Sequence, residues 1–369
     1  MKILFVTRPI APPWDEGSKN TVFELAKRLQ GHSIHLLTTA GFSYDAENIV
    51  WERVYTKGGP VSGISLGQKL RLFRRLMKKD DIDIYHFFFK PTALVAMIAR
   101  IILKFNRKKT VQTVVSVPVE GERLKKAVFA DAVVAGSEFM QKRLAEEGIP
   151  TEWIPFGVNA TELSKPFNVV TAKKSFGLEG SPVILFAGDL HPGKGIEVVT
   201  DSMEDVVKRF AKVKFVFACR SLETKIEAQN LEKMKSRIRE KGLTENAVFF
   251  GRISNTKDLI RAADVVVFPP ALMSFKMDYP LIALEGMALG KPVIFSDVPP
   301  LNELFGEQCN IMVEKNNPKQ LSDEIVSLLS SSKKMRLFGA NARVLVVEKF
   351  NIELSARRYL KLYEEVMQK

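Results

Sequence analysis

Residues 281–297 read L-I-A-L-E-G-M-A-L-G-K-P-V-I-F-S-D, and this stretch decides the fold. An apolar helix carrying one carboxylate, Glu285, is stopped by the turn Gly290-Lys291-Pro292, because glycine just past a helix and proline shortly after it are stop signals. The apolar run Val293–Phe295 then predicts a strand. A helix that leads through a tight turn into a short strand is half of a βαβ unit, the element of parallel sheets.

Glu285 is the unusual residue of this helix. A carboxylate on an apolar helix face is costly to bury unless a partner pairs with it, and the hydroxyl groups of a bound sugar could do so. The alternative is a glutamate that points to solvent or pairs with a lysine, since most acidic residues are exposed.

The same alternation of strands and helices runs through both halves of the chain. It predicts two Rossmann-like, doubly wound α/β domains, at 1–165 and at 166–349. We expect a linker at 157–180, a helix at 121–130, and a C-terminal helix at 350–369 that packs back on the first domain. Ligands of such sheets bind at the carboxyl ends of the strands, so the predicted site is the cleft between the domains.

Composition limits the class of protein. The 369 residues are 46% apolar and 26% charged, as expected of a folded globular chain. Cys219 and Cys309 show no metal-binding spacing, so we predict neither a zinc site nor a disulfide framework. The chain starts on a strand without signal-peptide features, and the run 93–103 is too short to cross a bilayer. We therefore expect a cytoplasmic protein.

Positive charge is concentrated in one region. The formal net charge is +13, and residues 66–109 hold twelve Lys and Arg against three acidic residues. A basic amphipathic helix is predicted at 66–79. This helix could lie on an anionic membrane surface, which would make the protein a peripheral protein of the inner face of the membrane. Alternatively, it could pack on the core with a solvated basic face. Nucleic acid is a third possible partner, but no recognised motif supports it.

Three segments are expected at the ligand. The loop at 14–18 contains Gly17, which permits close backbone approach before a helix, although Ser18 could simply cap that helix. The loop at 188–195, G-D-L-H-P-G-K-G, places Lys194 where it could meet a phosphate. The third segment, Pro269 to Glu285, contains Asp278, Tyr279, Pro280 and Leu281. Together they predict a nucleoside diphosphate lying across two sheets, with Glu285 on the ribose.

A series of motifs resembles the GT-B glycosyltransferases of family 4, which are retaining enzymes. The motifs run in the family's order over nearly the whole chain: D-I-Y-H at 83–86, A-D-A-V-V-A-G-S at 130–137, I-P-F-G-V-N at 154–159, G-x-L-x-x-x-K-G at 188–195, F-F-G-R-I-S at 249–254, A-A-D-V-V-V-F-P at 262–269 and L-E-G-M-A-L-G-K-P-V at 284–293. The last motif is highly specific. Each of the others is weak evidence by itself, but their occurrence in the order of the family strengthens the resemblance.

The resemblance implies that the domain at 1–165 binds the acceptor and the domain at 166–349 binds the donor, and it implies a role for each matching residue. Glu285 would hold the ribose of the donor, Lys194 its diphosphate, and His86 would lie near the acceptor and the sugar as a catalytic residue. The remaining donor-binding residues that it implies are Gly17, Ser18, Gly188, Arg252 and Ile253.

The chain departs from the family pattern at several of these positions. Met277 stands where the first acid of the E-x7-E pattern is expected, and the adjacent Asp278 is predicted to replace it as a catalytic residue. Asp189 stands where the family usually has an arginine beside the diphosphate, and Pro270 where it often has serine. These changes leave the donor sugar open.

The function implied is transfer of a sugar from a nucleotide sugar, such as a UDP- or GDP-sugar, to a hydroxyl of a glycan or lipid-linked acceptor, without a metal or other cofactor. The triplet Asp81-Ile82-Asp83 mimics a metal-binding motif, but carboxylates before a strand are mostly solvated. Two alternatives stay open, a nucleotide-sugar epimerase of the same architecture and a non-catalytic nucleotide-sugar binding protein.

Overall fold

The computed structural model describes residues 1–369 except 13, 15, 57–64, 91–92, 106–107, 120, 220–224, 252 and 254. The chain divides into two compact units. Unit 1 comprises Met1–Gly157, Ser274–Asp278 and Ile352–Lys369, and unit 2 comprises Val158–Met273 and Tyr279–Asn351.

Unit 1 contains a parallel sheet of seven described strands in the order β3-β2-β1-β4-β5-β6-β7. The strands are β1 (Lys2–Val6), β2 (Ser33–Thr39), β3 (Ile49–Tyr55), β4 (Ile84–Phe87), β5 (Lys109–Val114), β6 (Ala132–Ala135) and β7 (Glu152–Trp153). The first helices are α1 (Gly17–Arg28), α2 (Leu66–Met77), α3 (Ala93–Phe105) and α4 (Glu138–Glu146). Strand order reverses between β1 and β4, which pair directly, so this is the topological switch point of the sheet.

Unit 2 contains a second parallel sheet, of six described strands in the order β10-β9-β8-β11-β12-β13. Its strands are β8 (Val183–Gly188), β9 (Lys214–Cys219), β10 (Ala247–Phe250), β11 (Val265–Phe268), β12 (Val293–Ser296) and β13 (Ile311–Val313). Its helices are α5 (Ala160–Leu163), α6 (Val169–Lys174), α7 (Ile196–Arg209), α8 (Lys225–Glu240), α9 (Thr256–Ala262), α10 (Leu281–Ala288), α11 (Pro318–Leu329) and α12 (Ser332–Lys349). The switch point lies between the paired strands β8 and β11.

The last helix, α13 (Ile352–Gln368), returns to unit 1. It packs on α1, and its buried tyrosines Tyr359 and Tyr363 join the core on that face of the sheet. Residues of α2 and α3, including Leu76 and Leu103, contribute to the core on the opposite face. Both faces are therefore covered, as the continuous apolar strands of a parallel sheet require.

Two doubly wound α/β units with parallel sheets confirm the predicted fold class, but several local predictions differ from the structure. The division falls after Gly157 rather than after residue 165. The predicted linker at 157–180 contains α5 and α6, which belong to unit 2 and bury Leu163 and Ala172.

The helix predicted at 121–130 was wrong. Only a short 3₁₀ turn forms there, at Leu124–Lys126. The carboxylate of Glu147 accepts hydrogen bonds from the backbone N–H groups of Leu124 and Lys125, so these donors are satisfied without a longer helix.

Candidate functional site

The carboxyl edge of the unit 2 sheet carries most of the predicted donor residues. The loop that follows β8 contains Lys194, and the loop that follows β11 leads into α10, which carries Glu285. Because β8 and β11 are neighbours at the switch point, both loops leave the same edge at the position where doubly wound sheets bind ligands.

These two loops are tied together by backbone hydrogen bonds. The N–H groups of Ala271 and Leu272 donate to the Gly193 carbonyl at 2.9 and 3.2 Å. Lys194 is half-buried, and its Nζ donates to the Leu272 carbonyl at 3.3 Å. The lysine is therefore held in the loop beside the start of α7.

Gly195, the N-cap of α7, has to be glycine for two reasons. Its φ of 100° is one that other residues rarely adopt. A Cβ there would lie 2.8 Å from the Pro269 carbonyl oxygen, so the two loops could not approach as they do. The glycine at 188 has a local packing reason, because a Cβ would lie 2.9 Å from the Phe186 ring.

Helix capping separates the predicted site from the rest of the fold. Among the ten helices whose N-cap the structure describes, seven are capped by a side chain, namely Ser65, Ser137, Asn159, Asn168, Asn255, Asn317 and Ser331. The N-caps of α1, α7 and α10, which are Glu16, Gly195 and Pro280, make no side-chain cap hydrogen bond. Their first N–H groups can instead serve a ligand, and the helix dipole favours an anion at such an end.

Glu285 lies in the second turn of α10 and is half-buried, while most of that helix is buried. The sequence left open whether Glu285 is buried or points to solvent, and the structure places it between these two alternatives. Leu281, the first residue of α10, is also half-buried.

Tyr279 and Pro280, predicted to bind the donor, are buried just before α10. The Tyr279 hydroxyl donates to Glu303, and its ring packs 5.1 Å from that of Phe350. The side chain of Tyr279 thus stabilises the entry to α10.

Arg252 lies outside the described residues. Ile253 is half-buried and follows β10 at its carboxyl end, on the same edge of the sheet as the two loops. Asp189, which replaces the usual arginine, follows Gly188 directly and is half-buried.

Asp278 belongs to unit 1, whereas Tyr279, which follows it in the chain, belongs to unit 2. It is only 4% exposed, and its Oδ2 accepts a hydrogen bond from the Ser137 hydroxyl at 2.8 Å. Met277 packs against the unit 1 core. This geometry gives Asp278 an anchoring function that sequence reasoning missed, because Ser137 is 141 positions away in the chain.

Gly17 and Ser18 lie in unit 1, in the first turn of α1 at its switch point. Since the helix begins at Gly17, Ser18 lies inside it, and the alternative that Ser18 is the cap was wrong. Glu16 takes the cap position, and its carboxylate pairs with Arg8 at 3.2 Å.

His86 is in the core of unit 1 and fully buried. Its Nδ1 and Nε2 lie 2.6 and 2.7 Å from the hydroxyls of Tyr363 and Thr113. Burial lowers the pKa of the imidazole well below its usual range, so the ring is neutral. This placement corrects the expectation that His86 lies beside the substrate, because its neighbours occupy both nitrogens and the ring stacks among aromatic residues of the core.

The residues of the Asp81-Ile82-Asp83 triplet serve the fold. Asp83 accepts a hydrogen bond from the Lys2 backbone N–H at 2.7 Å, and Asp81 pairs with the Lys2 ammonium group. Over the described part of the chain, no group of three or more His, Cys, Asp or Glu side chains is arranged to hold a metal ion.

Two family models match the chain. The model of glycosyl transferases group 1 matches residues 170–345, and that of glycosyltransferase family 4 matches residues 16–162. The chain belongs to the family 4-like glycosyltransferases of the GT-B fold. A curated relative of this glycosyltransferase is the lipopolysaccharide core biosynthesis mannosyltransferase LpsB of Rhizobium meliloti, 26% identical over 64% of this chain and 66% of LpsB.

Solved structures support the fold of this glycosyltransferase. A glycosyltransferase from Rickettsia africae superposes with a TM-score of 0.78 at 20% identity, covering 100% of this chain and 99% of that one. HepE of Anabaena in complex with UDP gives 0.77 at 17% identity, covering 99% and 100%. The epimerase and the non-catalytic binding protein are not favoured by these matches.

Proposed function

We propose that this glycosyltransferase uses a nucleoside-diphosphate sugar as donor and transfers the sugar to a hydroxyl of a glycan or lipid-linked acceptor, with retention at the anomeric carbon. The observation that carries the proposal is the pair of helices α7 and α10, which follow the two switch-point strands β8 and β11 and begin without a side-chain cap, with Lys194 just before α7. Their N–H groups and the lysine ammonium suit a diphosphate.

The chemistry asks mainly for stabilisation of the leaving group. As the bond between the anomeric carbon and the diphosphate oxygen breaks, negative charge develops on the diphosphate, and Lys194 with the helix N–H groups would stabilise it. The acceptor hydroxyl attacks from the face that the diphosphate leaves, forms the new bond to carbon and passes its proton to the departing diphosphate oxygen. We propose no metal ion and no other cofactor, so the nucleotide sugar is a substrate.

Support for the donor class also comes from similar proteins. HepE was solved with UDP and, in another crystal, with UDP-glucose. Support for a lipid-linked glycan as acceptor comes from the name of LpsB, which concerns lipopolysaccharide core biosynthesis. We place the reaction in the cytoplasm, at the inner face of the membrane when the acceptor is lipid-linked.

Glu285 would accept hydrogen bonds from the donor ribose. Replacing it with alanine removes a charged acceptor, and we expect nucleotide binding to weaken by roughly 1.5–3 kcal/mol. Calorimetric titration of the parent chain and the Glu285→Ala variant tests this, with thermal unfolding to establish that the variant is folded. Equal affinities in two folded proteins would remove Glu285 from the site.

Transfer itself is tested by following the nucleotide sugar with and without acceptors. We expect the diphosphate to be released much faster when a suitable acceptor is present, and the product linkage to keep the anomeric configuration of the donor in an NMR spectrum. An inverted product would refute retention, and conversion of the donor to its epimer without acceptor would indicate an epimerase.

A further inference from the structure

Helix α2 presents an apolar stripe to solvent. Leu66, Leu70, Phe73 and Met77 are between 42% and 74% exposed. Their spacing of four, three and four residues puts them on one face of the helix. An exposed stripe of this kind marks an interaction site more often than a solitary surface leucine does.

The opposite face of α2 attaches it to unit 1. Gln68 and Leu76 are buried there, and Leu72 packs against the core. Arg75, in the last turn, donates to Glu52 on β3 at 2.7 Å and to Asp80 at 2.6 Å. The helix is therefore held by a face that excludes the apolar stripe. The alternative of a helix that packs on the core with a solvated basic face thus describes this side of α2, but the four apolar residues of the stripe lie outside that contact.

Helix α3 extends the same kind of surface. It contacts α2, and it packs on unit 1 through Ala96, Ala99 and Leu103. Its exposed residues include Met97, Ile98 and Ile101, of which Ile101 is 63% exposed. Two neighbouring helices therefore turn apolar side chains outward.

The charge beside the stripe has one sign. The exposed basic residues next to it are Lys69, Arg71, Arg74, Lys78 and Lys79. Neither helix contains an acidic residue in its sequence. The acidic residues that follow α2 are already paired, Asp80 with Arg75 at 2.6 Å and with Lys108 at 3.0 Å, and Asp81 with Lys2. The surface is therefore cationic around an apolar centre.

We propose that α2 and α3 form a docking surface for an anionic lipid bilayer, with the α2 stripe inserted at the level of the headgroups. Basic residues next to inserted apolar side chains are the combination that binds anionic leaflets. This rests on the proposed function only in that docking would bring the enzyme to a lipid-linked acceptor. The surface itself is independent of the donor site in unit 2.

Co-sedimentation with vesicles tests the proposal. The full chain should bind vesicles of phosphatidylcholine with phosphatidylglycerol at low salt, and should bind pure phosphatidylcholine weakly. High salt should reduce the binding. Reversing Arg71, Arg74 and Lys78 to glutamate should lower the partition coefficient on the order of 100-fold. Leu70→Ser with Phe73→Ser should lower it roughly 10-fold.

The matched control comes from α12 in unit 2, which also has exposed basic and apolar residues. Lys333→Glu with Arg336→Glu, and Leu337→Ser with Val344→Ser, should leave vesicle binding unchanged. A Phe73→Trp variant should shift its fluorescence to shorter wavelength on anionic vesicles, since insertion removes the indole from water. Nucleotide binding is measured on every variant as a check of folding.

Absence of binding to anionic vesicles at low salt would overturn the docking surface. Equal losses of vesicle binding in the α2 and α12 variants would also overturn it. A parent chain that is a dimer, does not bind vesicles and becomes a monomer in the α2 variants would show that a second copy of the chain occupies the surface. If vesicles fail to bind while nucleotide still binds, the proposed transfer reaction survives. If vesicles bind while nucleotide does not, the docking surface survives and the proposed donor site is wrong.

Discussion

The Ser137 hydroxyl donates a 2.8 Å hydrogen bond to the carboxylate of Asp278, which is 141 residues away in the chain. The same Ser137 oxygen accepts the Met140 N–H at 3.0 Å and so caps α4. Two backbone bonds support this contact, from Val117 to the Lys276 carbonyl at 2.9 Å and from Phe275 to the Val117 carbonyl at 3.0 Å. The segment 274–278 is thereby anchored in unit 1, while the residues before and after it belong to unit 2.

Replacement of Asp278 should release that segment. In Asp278→Ala the buried Ser137 hydroxyl loses its acceptor, so we expect the free energy of unfolding to fall by about 1–3 kcal/mol. Asp278→Asn keeps an acceptor oxygen and should cost less. Chemical denaturation of both variants, with turnover measured in parallel, is the check. If Asp278→Asn abolished turnover without any loss of stability, Asp278 would be a catalytic carboxylate as the sequence suggested.

Lys194 should matter for turnover more than for folding. Removing its charge in Lys194→Ala withdraws stabilisation from the leaving diphosphate, and we expect kcat to fall roughly 100-fold. Its hydrogen bond to the Leu272 carbonyl is partly solvated, so the melting temperature should change little. Lys194→Arg keeps the charge and serves as the control. Equal turnover in Lys194→Ala and the parent chain at saturating donor would remove this lysine from the site.

Gly339 should be irreplaceable for packing reasons. A Cβ at this position on α12 would lie 2.0 Å from the Gly290 carbonyl oxygen, where α12 approaches the turn after α10. We expect Gly339→Ala to destabilise unit 2 by about 1–3 kcal/mol or more. Gly67, a helical glycine on α2 with open space around it, provides the matched control, since Gly67→Ala should be neutral or stabilising. Similar melting temperatures for the two variants would contradict the packing argument.

Glu52 should make stability depend on acid pH. Burial opposes its ionisation, but hydrogen bonds from Arg75 and His35 outweigh burial and lower its pKa from 4.5 to about 2. A carboxyl whose pKa is lower in the folded state stabilises the fold at any pH above its pKa in the unfolded chain. This stabilisation is lost as the pH falls through its pKa in the folded state. At neutral pH the free energy of unfolding of the parent chain should exceed that of Glu52→Gln by about 2 kcal/mol, once solvent screening is taken into account. That difference should shrink between about pH 4.5 and pH 2 in urea titrations, and a constant difference would speak against it.

The sequence predicted the buried sheets better than their edges. Runs such as Ile3–Val6 and Val265–Phe268 are entirely apolar, which is the pattern of strands covered on both faces, and they form β1 and β11. The edge strands β3, β7 and β13 were missed, and β7 has only two residues. The exposed and charged residues of Ile49–Tyr55 break the apolar run, and Ile311–Val313 is short.

Some residues of the candidate site could be placed from the sequence, and others could not. Lys194 lies in the loop after β8, and Glu285 lies near the start of the helix that connects β11 to β12, so the doubly wound topology alone places both on the sheet edge. Asp278 and His86 could not be placed in this way. Their surroundings depend on partners far away in the chain, Ser137 and Tyr363, and only the folded structure brings these together.

The central claim is that the switch point of unit 2 binds a nucleoside diphosphate, and it is tested most directly by calorimetric titration with UDP, GDP and ADP and with the corresponding nucleosides. We predict that one diphosphate binds at least about 10-fold more tightly than its nucleoside. In Lys194→Ala that preference should fall, while the affinity for the nucleoside stays the same. If no diphosphate binds, or if diphosphate and nucleoside bind equally well, the proposed donor site is wrong.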